Sequence, residues 1–257
     1  MSSNRTRESQ HQKFEGRRVN DHVYQLCPDR NENTVQPADV DIILFHGLQM
    51  PGREHPEAYW RTWKMRESED FWPETLLPQL LNEPGGKTLR ARVLAICYEG
   101  RLDQGYEARS GGAKVEAAGV TDDYLLVENL IENLVFDDRV DAGQNVPLFL
   151  LGHDLGGILI KLFVIGVENK EATMNDHEAI QQEKLRKFLG NLRSVHFFAT
   201  PHSGASIMDK VVESIESKPG TPQHEMLHYL KVLNNKKSRV NQAFTHYGIK
   251  LVNLEIH

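Results

Sequence analysis

Apolar residues gather in five short runs: Val40 to Phe45, Ala91 to Cys97, Pro147 to Gly152, Ser194 to Ala199 and Ile249 to Leu254. Each is rich in aliphatic or β-branched side chains and lacks the strict alternation of a half-exposed strand, so both faces are expected to be covered. Runs of this kind belong to a parallel sheet. Val23 to Leu26 reads as a further edge strand, linked to the sheet by the polar, turn-rich stretch Pro28 to Ala38.

Between the runs the period changes to that of helices. Pro73 opens a short helix through Leu81, which Gly85-Gly86 ends. Gly100 to Gly119 is a glycine-rich, charged loop, after which Thr121 can cap a helix. Over Val120 to Phe136, Leu125, Leu126, Asn129, Leu130, Asn133 and Leu134 keep helical spacing, and this face should pack on the sheet. Leu155 to Val167 is apolar nearly all round, hence central. Glu168 to Leu192 is polar and helical in its second half, and Ile207 to Tyr247 reads as two or three amphipathic helices. The organisation expected is a disordered polar tail over 1–20 and one α/β domain over 21–257.

The sharpest local signal lies where the third run breaks. Leu148 to Leu159 reads LFLLGHDLGGIL, a strand, a tight turn and a helix in the pattern G-x-nucleophile-x-G. Gly152 and Gly156 leave room for the chain to reverse and for the helix to lie close on its strand. Asp154 then stands at the C-terminal edge of the sheet, where open α/β sheets bind ligands. A second motif, His46-Gly47-Leu48-Gln49, follows directly on the first strong strand. In hydrolases built this way, that loop gives one backbone N–H to an oxyanion hole and the residue after the nucleophile gives the other. Here these are Leu48 and Leu155. Two independent motifs at the required places in a βαβ order point to the α/β-hydrolase fold.

Composition narrows the classes. The chain is 39% hydrophobic over 257 residues, enough for a real core. Thirty basic against 36 acidic residues give a net charge of -6 with no sustained basic stripe, which argues against a nucleic-acid partner. Cys27 and Cys97 are the only cysteines and lie far apart, so a reducing compartment fits better than a disulfide framework. No run approaches the ~18 uncharged apolar residues of a membrane span, and the N-terminus lacks a signal-peptide core. No integral membrane segment is therefore expected.

Taken together, FHGLQ at 45–49, YWRTW at 59–63, FWPETLLP at 71–78, ARVLAICYEG at 91–100, GHDLGGILIK at 152–161 and FFATPHSGA at 197–205 resemble the serine active site-containing protein family. That family belongs to the serine esterases and lipases related to GPI inositol-deacylase, and plants have many such proteins. The resemblance covers roughly residues 38 to 256. It implies a lipase-like or esterase-like fold acting on a lipid or small hydrophobic ester. Some animal members are tied to phospholipid remodelling at mitochondrial and endoplasmic reticulum contacts, so the location implied is cytoplasmic or associated with those organelles. In plants, similar modules are coupled to nucleotide-binding or repeat domains.

Two departures bear on activity. The family pattern is GHSxGG, whereas Asp154 occupies the serine position here. A carboxylate can attack an sp3 carbon to give an alkyl-enzyme ester, as epoxide hydrolases and haloalkane dehalogenases do. On an ester carbonyl it would form a mixed anhydride, a poor substitute for an acyl-enzyme. The second departure is length: the triad order in this fold is nucleophile, acid, histidine, and the chain stops at His257. Glu255 sits near the acid position, while the last strand and the histidine loop are expected to be missing. A sheet edge left open in this way would invite pairing with a protein partner.

Each residue also has a plainer reading. Asp154 can persist in a degenerate elbow, because Asp tolerates left-handed backbone better than most residues. His46 and Gly47 would support the oxyanion loop, His153 would pack beside the elbow, and His202 in TPHSG would shape the pocket rim rather than act as a base. Trp60, Trp63 and Trp72 either line an acyl-binding surface or pack in the core. Tyr229 and Tyr247 carry no motif, and Lys231 to Arg239 reads as a solvated helix end. His224, His228 and His246 lack compact spacing with carboxylates, so neither a metal nor a cofactor is expected. Three readings follow: a hydrolase-like protein impaired as a serine esterase, a working hydrolase with Asp154 as nucleophile, and a truncated recognition module of a larger protein.

Overall fold

The computed structural model describes residues 16–27, 37–47, 57–64, 71–75, 77, 89–98, 121–200, 202 and 240–245. In chain order its strands are β1 (Arg17–Arg18), β2 (Val23–Cys27), β3 (Val40–Phe45), β4 (Ala91–Ile96), β5 (Leu148–His153) and β6 (Leu192–Phe198). The helices are α1 (Ala58–Arg61), α2 (Trp72–Thr75), α3 (Thr121–Ile131), α4 (Leu155–Thr173) and α5 (Ala179–Asn191). Residues 240–245 are also helical.

The strands form one sheet in the order β1-β2-β4-β3-β5-β6. β4, β3, β5 and β6 run parallel, while β2 pairs antiparallel with both β1 and β4. This is an α/β architecture with a mostly parallel, mixed sheet. Burial on both faces follows the period of two: Ile43 and Phe45 of β3, Leu94 and Ile96 of β4, and Leu148 and Leu150 of β5 join one core with α3, α4 and α5. Their alternates, Val40, Ile42, Leu44, Val93, Ala95 and Leu151, join a second core with Tyr59, Trp60, Trp63 and Phe71. Covered faces explain why the runs read as continuously apolar.

Several boundaries move. β5 runs one residue past Gly152 to His153, and β6 begins at Leu192 because Leu192 pairs with Leu148 before a register shift. α4 continues past Val167 to Thr173, its polar end carrying Lys170, which bonds Glu128 and Glu132. The helix over Val120 to Phe136 ends as a wider π turn at Glu132–Phe136. Arg17 and Arg18 form a two-residue strand paired with Gln25 and Tyr24, a pairing their polarity hides. The run Ile249 to Leu254, most of Ile207 to Tyr247, and the loop Gly100 to Gly119 lie outside the described residues.

The strand order places a crevice. From β3 the chain passes to β4 on one side, while from β5 it passes to β6 on the other. β3 and β5 are neighbours, so their C-terminal ends flank the point where the connections diverge. Such switch points are where open α/β sheets hold ligands.

Candidate functional site

Both sequence motifs meet at this crevice. His46-Gly47 leaves the end of β3, and Asp154 joins the end of β5 to α4. Contact between them is direct: a Cβ built on Gly47 would lie 2.8 Å from Cβ of Asp154, 3.0 Å from its Oδ2 and 3.2 Å from Nδ1 of His153. Only glycine lets the β3 loop approach the elbow this closely.

Asp154 has φ +51° and ψ -126°. This corrects the left-handed reading, since the αL region requires positive ψ. The observed pair is that of the first central residue of a type II′ turn, a place normally held by glycine. Asp has no special tolerance for it, so the conformation is strained for any side chain. Its N–H donates to the Phe198 carbonyl at 2.9 Å, and its side chain does not cap α4. Ala199, one residue past β6, also has positive φ, +51°. Two strained non-glycine residues thus stand just beyond the ends of neighbouring strands. Strain of this kind costs on the order of 1–3 kcal/mol and gathers at functional sites.

Replacing Asp154 with glycine should therefore stabilise the fold. The relief, set against glycine's added chain entropy, is about 1 kcal/mol, or a melting temperature raised by roughly 2–4 °C. Thermal melts of Asp154→Gly and Asp154→Ala check this, because only glycine removes the strain.

His46 is fully buried. Its ring stacks on Tyr98 with centroids 4.0 Å apart and planes 9° from parallel, and the Tyr98 hydroxyl donates to the His46 carbonyl. Nδ1 lies 2.8 Å from the Gly47 carbonyl, which can only accept, so Nδ1 carries the hydrogen and Nε2 the lone pair. Burial pushes the His46 pKa down to about 4, opposed by the backbone of Gly47 and Tyr98 and assisted by nearby His153. At neutral pH the ring is uncharged, which fits a support for the loop rather than a proton donor.

Trp63 forms a wall beside the elbow. Its ring meets His153, Phe198 and Trp72 edge-on at 6.4, 6.3 and 6.2 Å. Trp60 and Trp63 are buried and Trp72 is partly buried in the second core, so the aromatic cluster does pack as core while one member reaches the site. Nε1 of Trp63, Nε2 of His46, Nδ1 of His153 and Oγ1 of Thr200 are buried and have no hydrogen-bond partner among the described residues. Thr200 belongs to the same place, since its side chain lies against Gly157 of the elbow helix. Buried polar atoms are as a rule paired. Four such atoms gather around one elbow.

Of the residues expected at the site, His46, Gly47, His153, Asp154 and Leu155 come together. Leu155 opens α4, so its N–H belongs to the first-turn donors that lack an intrahelical acceptor. Leu48 and Glu255 lie outside the described residues. His202 is engaged elsewhere, its Nδ1 bonded at 2.7 Å to Lys161. Tyr98 and Lys161 were not expected. Tyr98 follows from register, because Ile96 pairs with Phe45 and brings the two strand ends together. Among the described residues, no group of three His, Cys, Asp or Glu side chains is arranged to hold a metal ion. A separate hollow of about 410 Å³ includes Asp141, Gln144, Ile180 and Lys184 in its lining, and it lies toward the opposite end of the strands.

No protein-family model matches the chain, and no solved structure matches it. Protein SERAC1 of Mus musculus is 22% identical over 209 residues, covering 76% of this chain and 26% of that protein. Protein SERAC1 of Homo sapiens is 22% identical over 222 residues, covering 80% and 27%. The chain thus spans about a quarter of the length of the curated relatives it matches. The likeness is distant and agrees coarsely with the resemblance carried by the motifs.

Proposed function

We propose that this chain is an α/β-hydrolase-like module of lipase or esterase ancestry, whose crevice binds a lipid or small hydrophobic ester without serine-esterase turnover. The observation that carries the reading is Asp154, a carboxylate on a strained II′ backbone at the nucleophile position, pressed against the loop after β3. The support is threefold: the elbow sits at the switch point, an aromatic wall borders it, and buried polar atoms there lack partners among the described residues. Gly47 brings the loop to the elbow, and the Leu155 N–H is the described donor for a ligand oxygen; Leu48 as second donor and Glu255 as acid are carried over from the sequence motifs alone. Attack by Asp154 on an ester carbonyl would expel alkoxide and leave a mixed anhydride, so acyl transfer is not the reaction the residue suits. No described helix is long and apolar enough to cross a membrane. Association with mitochondrion or endoplasmic reticulum belongs to the same family-based proposal.

Binding is testable without turnover. A non-hydrolysable ether analogue of a short-chain ester is expected to bind and to shift tryptophan fluorescence, and Trp63→Phe should remove most of that shift. No binding to the wild type, with the fold intact by circular dichroism, would overturn the proposal.

The retained strain at Asp154 favours a second reading. Its carboxylate attacks an sp3 carbon, the carbon–oxygen bond of an epoxide or a carbon–halogen bond breaks with its electron pair leaving on the heteroatom, and an alkyl ester forms. Water then attacks the ester carbonyl, releasing the alcohol and restoring the carboxylate. Asp154-dependent consumption of epoxides or haloalkanes selects this reading.

A further inference from the structure

Lys161 lies on α4, two turns past Asp154, and is only 5% exposed. Among the described residues no carboxylate pairs with it. Its Nζ lies 2.7 Å from Nδ1 of His202 and 2.6 Å from Oδ1 of Asn241. It also sits 5.1 Å and 5.6 Å from the ring centroids of Phe197 and Phe244, positions that favour a cation. Asn241 donates through Nδ2 to the His202 carbonyl. That carbonyl can only accept, so the amide nitrogen must face it and the amide oxygen must face Lys161. The three residues close a ring of hydrogen bonds, through the His202 carbonyl, that ties the loop after β6 and the helical residues 240–245 to the elbow helix.

The ring determines the state of His202. An ammonium has donors only, so Nδ1 must offer its lone pair, and a neutral imidazole with that lone pair carries its hydrogen on Nε2. Charging His202 as well would set two cations 2.7 Å apart. Burial, and then the charge on Lys161, hold the His202 pKa below its ordinary value, while burial also lowers that of Lys161. The acceptor Oδ1 of Asn241 and the two aromatic faces favour the ammonium form, so the proton stays on Lys161.

We propose that Lys161 is a positioning residue that holds His202 as the neutral Nε2–H tautomer, giving the loop after β6 a hydrogen-bond donor in place of a base. Such a donor recognises an acceptor oxygen, a carbonyl or a carboxylate. On the hydrolase-like reading of the crevice, it removes His202 from the groups able to activate water. The tautomer itself does not depend on that reading.

Two-bond nitrogen–proton correlation spectra of the histidine rings test this on the full chain at neutral pH, with His202→Gln identifying the His202 signals. The expected wild-type pattern is one pyrrole-like Nε2 and one pyridine-like Nδ1. Lys161→Met keeps the aliphatic stem and should shift both nitrogens toward averaged values, whereas Lys161→Arg, which restores a donor, should return them toward the wild-type pattern. An Nδ1–H ring or an imidazolium in the wild type would overturn the proposal, and so would a His202 ring unchanged in folded Lys161→Met. The wild-type spectrum decides the tautomer even if Lys161→Met fails to fold. A wild type that shows the expected His202 pattern but binds no ether analogue would count against the crevice reading alone.

Discussion

Asp41→Ala is expected to destabilise the protein by about 3–5 kcal/mol, the cost of removing one partner from a buried ion pair. Asp41 is completely buried in β3. Arg92 of β4 grips it with two bonds, Nε to Oδ1 at 2.8 Å and Nη2 to Oδ2 at 2.7 Å, and the Gly143 N–H donates to Oδ2 at 2.8 Å. Arg92 also donates to the carbonyls of Val140 and Asp141, so one pair joins β3, β4 and the turn before β5. The variant leaves an arginine charge and a backbone N–H without their acceptor. Asp39→Ala, which breaks a more exposed pair with Arg90, should cost less than about 1 kcal/mol. Urea denaturation of both variants checks the contrast, and equal effects would contradict it.

Gly156→Ala is expected to cost about 3 kcal/mol, at the upper end of ordinary overpacking. A Cβ at this position would fall on the carbonyl oxygens of Phe45 and His46, inside any allowed contact. Both obstacles are backbone, so no flexible side chain can yield, and α4 must lift from the end of β3. Because that lift separates Asp154 from Gly47, ligand binding at the crevice should weaken together with stability. Gly190→Ala serves as the control: a Cβ there meets nothing within 4 Å, and no destabilisation is expected. Chemical denaturation of the two variants, beside binding of the ether analogue, measures both effects.

These variants also mark what could be read from the chain. The elbow was legible because its steric demands are written as residue types: glycines where backbones touch, apolar runs where both strand faces are covered. The α/β class with a mostly parallel sheet followed from the same runs. Asp41 and Arg92 carried a signal that went unused, a charge of opposite sign at the second position of two strands that prove to be neighbours with those residues in register. Register is a long-range property, and so the stacking of Tyr98 on His46 was hidden as well. Lys161 stands as a lone cation in the apolar segment GGILIKLFVIG. Its polar partners come from His202 and Asn241, 41 and 80 residues away, which no local pattern reveals. The backbone of Asp154 is hidden for a different reason: the elbow pattern predicts positive φ, but the sign of ψ, which separates a tolerated turn from a strained one, depends on how α4 docks against β3 and β6.

The central claim concerns chemistry at Asp154. Steady-state hydrolysis of short- and medium-chain esters by the wild type and by Asp154→Ala measures it most directly. Both proteins are expected to give the same rate, no greater than the background without protein. Ester turnover by the wild type that disappears in folded Asp154→Ala would contradict the account.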